Sequence, residues 1–220
     1  MSDPLHVTSV LLRRTTPDGT PEVLIGLKKT GFGAGLINSP GGKLEPGETP
    51  AQAAARELTE ETSMTVDIAD LIPAADVVFR FPDVPEWPDL RLYFFIATTF
   101  AGEPQESAEI AVTWTPENDI PYNQMWEDTQ LWLPKALAGE FVTMDFTFAG
   151  RNKVAEYATV PPRSGSHATT SPNPSSSPKP NPSPNSSQGP SPSPSASASA
   201  RPSPNTRPSR SPSPSASPNP

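Results

Sequence analysis

The C-terminal part of the chain limits what the sequence can fold into. From Pro161 to Pro220 it holds 18 of the 32 prolines and neither an aromatic nor an acidic residue. Because proline removes backbone donors and serine offers little apolar surface, this segment cannot build a core. We predict a disordered, extended Ser/Pro-rich tail over residues 161–220, and we expect deletion of residues 162–220 to leave melting temperature and turnover almost unchanged. Residues 1–160 must then form the fold, and their number is typical of one domain.

Charge divides the chain in the same way. Residues 1–160 carry 11 Lys/Arg and 24 Asp/Glu, whereas the tail carries five Lys/Arg and no acid, which gives a net charge of −8. An acidic domain argues against neutralising the phosphates of duplex nucleic acid. The absence of cysteine excludes a disulfide framework and thiolate metal sites.

The start of the chain shows neither a signal peptide nor a membrane span. MSDPLHVTSVLLRR lacks a basic segment followed by an apolar run, and no apolar stretch approaches the ~18 residues that a span needs. The sequence therefore predicts a cytoplasmic protein without a membrane segment. A wall-associated or linker role for the tail is the alternative.

Hydrophobic periodicity predicts a mixed sheet with one helix on each face, and thus an α/β fold. Asp18-Gly19 signals a hairpin between the first two strands. The run LRLYFFIATTF is apolar on both faces, which indicates a central strand. The predicted helices cover 50–62 and 126–137. The predicted strands cover 6–14, 22–29, 43–45, 75–81, 90–100, a stretch from 110, and 141–148.

The first helix has clear start signals and an unusual charge pattern. Thr49 is a candidate N-cap with Pro50 at the first helical position, and Gln52 completes a capping box. Three carboxylates, Glu57, Glu60 and Glu61, then crowd together at helical spacing with Arg56 as the helix's one basic residue. A solvated acidic face normally mixes its signs, so a site for a hard cation such as Mg²⁺ explains the pattern better.

These residues carry a family resemblance. Gly42, five residues, Glu48, seven residues and then Arg56-Glu57-Leu58-x-Glu60-Glu61 resemble the Nudix box, with Met64 as its last aliphatic position. The resemblance implies a Nudix-type α/β/α sandwich. Ser63 stands where the family has a glycine that ends the helix, and a positive φ at that position makes serine cost about 1 kcal/mol.

The resemblance extends over most of residues 5–157. KKTGFGAGLINSPGGKLEPGET, VVFRF, ESAEIAVTW and MWEDTQLWLP are similar to segments of mammalian-type oxidised purine nucleoside triphosphate hydrolases, the 8-oxo-dGTP diphosphatases. This implies a monomeric enzyme that acts on a small nucleotide. It implies Mg²⁺ as the cofactor, for which Mn²⁺ can substitute. It also implies hydrolysis of the substrate to a nucleoside monophosphate and pyrophosphate.

The same resemblance assigns the site residues. The catalytic residues are Glu57, Glu60, Glu61 and Glu109, and together with Gly41 they also hold the metal. Glu48 and Arg56 are structural. Thr129 stands where the family has a second acid, which leaves the base preference open. The substrate-binding residues are Thr8, Lys28, Asn38, Pro40, Gly41, Gly42, Lys43, Trp126, Asp128 and Thr129.

Local sequence leaves several alternatives. Asn38 could cap a turn before Pro40, and Glu109 could lie on the surface. Of the two nearby tryptophans, we expect Trp126 to stack on the base and Trp132 to be core. For the whole protein, two other hypotheses remain: a Nudix hydrolase for another diphosphate-linked nucleotide, and a non-catalytic nucleotide-binding module.

Overall fold

The computed structural model describes residues 3–163, so the tail predicted from the sequence lies outside the described residues from position 164 onward. The helices are α1 (Pro50–Thr62) and α2 (Thr129–Leu137). The strands are β1 (Leu5–Thr15), β2 (Pro21–Lys28), β3 (Ile37–Asn38), β4 (Gly41–Lys43), β5 (Ile72–Arg80), β6 (Leu90–Ala97), β7 (Ile110–Pro116), β8 (Val142–Ala149) and β9 (Lys153–Thr159). Within residues 3–163, neither helix is long and apolar enough to cross a membrane.

The strands form one mixed sheet in the order β3-β2-β1-β6-β5-β8-β9, with β4 paired to β1 and β7 paired to β2. The pairs β1–β6 and β5–β8 are parallel, whereas the others are antiparallel. The strand predicted to be central, β6, does lie between β1 and β5. The predicted mixed sheet is thus confirmed.

A hydrophobic cluster covers each face of the sheet, because alternate residues of a strand point to opposite sides. Leu11 and Phe94 belong to the cluster that contains Trp132 of α2, whereas Val10 and Phe95 belong to the one that contains Leu58 of α1. The two helices therefore cover opposite faces, and the predicted α/β/α arrangement is confirmed.

Helix α1 begins and ends as its local chemistry predicts. The Thr49 side chain accepts from the Gln52 backbone, the Gln52 side chain accepts from the Thr49 backbone, and Pro50 is the first helical residue. Helix α2 begins at Thr129, three residues later than predicted, and the preceding Glu127 backbone is bonded to the side chain of Asn152. The sequence analysis missed β9, whose exposed residues show no apolar alternation.

The end of α1 offers a test of backbone strain. Ser63 is the C-cap, with φ 61°, and it is the one non-glycine residue with positive φ among residues 3–163. Because a Cβ is unfavourable in this left-handed conformation, we expect Ser63→Gly to raise the free energy of unfolding by about 1 kcal/mol. Urea denaturation would measure the gain, and an unchanged midpoint would contradict the predicted strain.

Arg163 packs against the sheet beyond the domain boundary predicted at residue 160. Its Nη1 donates to the Asp76 carbonyl at 2.8 Å and to Asp76 Oδ1 at 3.0 Å, and its Nη2 pairs with Asp145. The buried Asp76 also receives two bonds from Arg91, at 3.0 and 2.7 Å. The chain is thus bonded to β5 and β8 as far as residue 163.

This contact changes the expected effect of deleting the tail. We expect a chain that ends at Arg163 to melt like the full-length protein, since the composition of the removed segment cannot build a core. Substituting Arg163→Ala in that shortened chain should cost about 1 kcal/mol, because it removes bonds to charged groups. Thermal denaturation of both forms tests this, and a large loss on deleting 164–220 alone would contradict it.

Candidate active site

Helix α1 presents its carboxylates to a cavity of about 660 Å³. Buried Ala54 and Leu58 anchor the helix in the core. Glu57 and Glu60 line the cavity, whereas Glu61 is almost fully buried, with 3% of its surface exposed, and does not line it. The helix therefore holds the three predicted acids on one rigid element.

Glu61 is held by contacts from two strands, β2 and β4. Its Oε1 accepts from Lys28 Nζ at 2.8 Å, and its Oε2 accepts from the Gly41 backbone N–H at 2.9 Å. Lys28 Nζ also lies 3.3 Å from Oε2 of Glu109, which precedes β7. Burial lowers the pKa of Lys28, but its bonds to Glu61 and Glu109 outweigh this and raise the pKa overall. The ammonium is therefore charged and bridges two predicted metal ligands.

Arg56 organises the remaining acids. Its guanidinium donates twice to Glu48, at 2.8 and 2.9 Å, and once each to Glu57 at 2.9 Å and Glu60 at 3.2 Å. A further bond at 3.0 Å reaches the Lys43 carbonyl on β4. The bonds from Arg56 lower the pKa of Glu48 to about 2. Burial, in contrast, raises the pKa of Glu57 despite the nearby Arg56.

The two glycines of β4 leave room for these contacts. A Cβ at Gly42 would collide with the Glu57 carboxylate, and a Cβ at Gly41 would collide with the Thr8 carbonyl and Ser9 on the paired strand β1. Gly41 therefore requires glycine because the backbone of β1 comes so close, whereas a Cβ at Gly42 would displace the Glu57 carboxylate; neither glycine has a positive φ.

The donor set fits a hard divalent cation in its chemistry. The candidate ligands are carboxylate oxygens and a backbone carbonyl, which Mg²⁺ and similar ions prefer. Within residues 3–163, no three acidic, histidine or cysteine groups converge closely enough to hold a metal as they stand. The acids are divided between two internal cations: Glu57 and Glu60 bond to Arg56, whereas Glu61 and Glu109 bond to Lys28.

The other end of the cavity is aromatic. Phe32 stacks on Trp126 with ring centroids 5.1 Å apart and planes 15° apart. Trp87 packs edge-on against Phe32 and Phe81, and Arg151 lies over its ring. Aromatic residues with this geometry offer a flat apolar surface to a purine ring. The sequence predicts Trp126 but not Phe32, because nothing local distinguishes Phe32 from a surface aromatic residue; Trp87 supports Phe32 without lining the cavity itself.

A buried acid lies at this aromatic end. Asp128 is 2% exposed, and its Oδ2 accepts from Trp132 Nε1 at 2.7 Å. Burial raises the pKa of Asp128 to about 7, although the Trp132 bond opposes the shift. Thr129 and Asn38 line the same cavity. Trp132 is a core residue, as expected, but it also lines the cavity and orients Asp128. The i, i+4 spacing of Asp128 and Trp132 in the sequence could have indicated their contact.

The remaining predicted substrate residues lie in different surroundings. Thr8 borders the cavity, but its hydroxyl lies within 3.2 Å of the Pro50 and Tyr93 carbonyls. Pro40 is not among the cavity-lining residues, and its carbonyl accepts from the Val10 backbone at 2.9 Å. Gly41, Gly42 and Lys43 do line the cavity.

The raised pKa of Asp128 predicts a dependence of stability on pH. In the unfolded chain this carboxyl has a pKa near 3.8, whereas in the fold it has a pKa of about 7. Between these values the native state binds more protons, so this group lowers the free energy of unfolding as pH rises. We expect Asp128→Asn to remove this loss. The melting temperature of the variant minus that of the wild type should therefore increase from pH 4 to pH 7. Parallel pH profiles would contradict it.

A mixed sheet between two helices, with a Gly-Gly strand facing three helix carboxylates, is the architecture of Nudix-type proteins. The NUDIX domain model matches residues 5–136, and the chain belongs to this family. Nudix hydrolases generally use a divalent metal ion.

Curated relatives match over nearly their whole length. The chain is 40% identical over 150 residues to a zebrafish (Danio rerio) protein named oxidized purine nucleoside triphosphate hydrolase, covering 68% of this chain and 94% of that one. It is 36% identical over 136 residues to the Mus musculus protein of the same name, covering 62% and 85%.

Solved structures show the same fold. The MutT protein of Bacillus halodurans matches with a TM-score of 0.59 at 22% identity, covering 72% of this chain and 99% of that one. The NUDIX domain of Shewanella oneidensis NrtR, solved with ADP ribose, matches with a TM-score of 0.53 at 18% identity, covering 63% and 90%.

Proposed function

We propose that the protein hydrolyses oxidised purine nucleoside triphosphates, of the 8-oxo-dGTP type, to the nucleoside monophosphate and pyrophosphate in a Mg²⁺-dependent reaction. One observation supports the proposal most strongly. The same cavity is lined by carboxylates that can bind a metal ion and by aromatic and polar side chains that can bind a nucleotide base. The names of the relatives in Danio rerio and Mus musculus support the substrate class.

The carboxylate end fits the phosphate chain. A triphosphate brings up to about four negative charges to an acidic surface, so Mg²⁺ bound by Glu57, Glu60, Glu61, Glu109 and the Gly41 carbonyl would neutralise phosphate charge and acidify the attacking water. Arg56 keeps Glu57 and Glu60 in place through its bonds to both. One of the four glutamates would take the proton of the attacking water, and the phosphoanhydride bond between the α- and β-phosphates would break to give the nucleoside monophosphate and pyrophosphate.

The aromatic end fits the damaged base. Trp126 provides a stacking face, while Asn38 offers a donor and an acceptor. Asp128, with its pKa of about 7, can accept or donate a hydrogen bond near neutral pH. Oxidised guanine differs from guanine by an N7–H donor and a C8 oxygen, which are the groups that such side chains distinguish.

The setting of the activity is also part of the proposal. The net charge of residues 1–160 disfavours duplex nucleic acid, so the substrate is a free nucleotide. We assign the activity to a monomeric cytoplasmic protein whose Nudix domain includes the bonded Arg163 and is followed by the Ser/Pro-rich tail. Mn²⁺ would substitute for Mg²⁺, since both accept oxygen ligands.

A second candidate is hydrolysis of another diphosphate-linked nucleotide, which the uncharged Thr129 beside Asp128 favours. A panel of oxidised and normal nucleoside triphosphates, ADP-ribose and dinucleoside polyphosphates, assayed with Mg²⁺ for pyrophosphate and monophosphate, separates the two. Preferred turnover of oxidised purine triphosphates with pyrophosphate as product is expected. Preferred turnover of ADP-ribose or a dinucleotide would favour the second candidate, and no turnover of any compound would indicate a binding module.

A further inference from the structure

Lys28 lies between the two carboxylates that would otherwise face each other across the candidate metal site. Its Nζ is 2.8 Å from Glu61 Oε1 and 3.3 Å from Glu109 Oε2. The lysine side chain is 16% exposed and the Glu61 side chain 4%. Since Glu61 Oε2 accepts from Gly41, both oxygens of this carboxylate already have partners in the chain.

A divalent cation would compete for the same oxygens. Two cations on one carboxylate repel each other strongly at separations of about 4 Å, so one must leave. Arg56 is bonded to three carboxylates and to the Lys43 carbonyl, which fixes its guanidinium. Among residues 3–163, the Lys28 ammonium has two carboxylate partners and no other, and its four-carbon stem is flexible, so it is the cation that can move.

We propose that Lys28 is a cation place-holder: its ammonium neutralises Glu61 and Glu109 until a divalent ion arrives, and then leaves these oxygens to the metal. The inference rests on the metal site of the proposed function but not on its substrate class. Because Lys28 also lines the cavity, its displaced ammonium stays close to the space that receives an anionic phosphate chain. Metal and nucleotide then favour each other's binding, and this coupling is reciprocal.

The neighbouring lysine provides a matched control. Lys29 pairs with Glu106 and the Ser107 carbonyl, and the Glu106 side chain is 65% exposed. Lys29→Met therefore removes the same charge one residue away without freeing a candidate metal ligand. Any general electrostatic effect on cation binding appears in both variants, whereas the release of Glu61 occurs only in Lys28→Met.

The test is Mn²⁺ binding to the full-length protein without nucleotide, measured from the EPR signal of the Mn²⁺ that stays free. We expect Lys28→Met and Lys28→Gln to bind Mn²⁺ about five- to thirtyfold more tightly than wild type, the range set by losing one partly buried ion pair. Lys29→Met and Lys28→Arg should stay within about twofold of wild type.

A second readout is the melting temperature with and without Mn²⁺. Without metal, Lys28→Met should melt below wild type because the buried Glu61 loses its cation, and saturating Mn²⁺ should close most of this gap. If Lys28→Met and Lys29→Met bind Mn²⁺ with equal affinity, or Lys28→Met binds it more weakly, the place-holder role of Lys28 is wrong. The metal site itself would not be contradicted by that result. A lack of saturable binding in wild type and every variant would contradict both.

Discussion

Replacing Glu61 with glutamine is expected to lower kcat by about 10²- to 10⁴-fold at saturating Mg²⁺ while leaving the fold intact. The substitution keeps the shape and an oxygen that can accept from the Gly41 backbone N–H. It removes the charge of the most deeply buried of the three helix carboxylates. A loss in kcat rather than in folding would assign Glu61 to the reaction.

The matched control for this substitution is Glu106→Gln. Glu106 is exposed and pairs with Lys29, so the variant removes an equal charge outside the cavity. We expect its kcat to stay within about twofold of wild type. Circular dichroism and melting temperature should confirm that both variants are folded. Wild-type turnover in Glu61→Gln at saturating Mg²⁺ would show that the α1 carboxylates do not form the metal site.

The second large effect is expected at Thr129. This residue is 7% exposed, lines the cavity and follows Asp128 directly. A hydroxyl cannot change its charge near neutral pH, whereas two neighbouring buried acids share protons and adapt to several base edges. We expect Thr129→Asp to widen the range of oxidised purines hydrolysed, with kcat/KM for oxidised adenine rising about ten- to a hundredfold relative to oxidised guanine.

Thr129→Asn separates charge from shape in this experiment. Asparagine resembles aspartate in size but carries no proton that titrates near neutral pH. We expect the broader range in Thr129→Asp and not in Thr129→Asn. Identical selectivity profiles in wild type and Thr129→Asp would place Thr129 outside base recognition.

Features determined by local chemistry were predictable from the sequence. The capping box of Thr49 and Gln52 places the start of α1, and Ser63 at the position of a helix-ending glycine does adopt a positive φ. The apolar run of β6 marks the centre of the sheet. In each case the signal lies within a few residues, so the pattern determines the structure without tertiary information.

Features that depend on distant contacts were not predictable. Lys28 was assigned to substrate binding, but its ion pairs with Glu61 and Glu109 span 33 and 81 positions. The stacking of Phe32 on Trp126 likewise joins a glycine-rich loop to the segment before α2. Composition also placed the domain boundary at residue 160, whereas Arg163 bonds to Asp76 across 87 positions.

The most direct test of the central claim is the ratio of kcat/KM for 8-oxo-dGTP to that for dGTP, measured with Mg²⁺ and full-length protein. We expect this ratio to exceed about ten, the discrimination that one well-aligned buried hydrogen bond provides, with monophosphate and pyrophosphate as products. A ratio near one, or turnover confined to other diphosphate-linked nucleotides, would contradict the assignment of this cavity to oxidised purines.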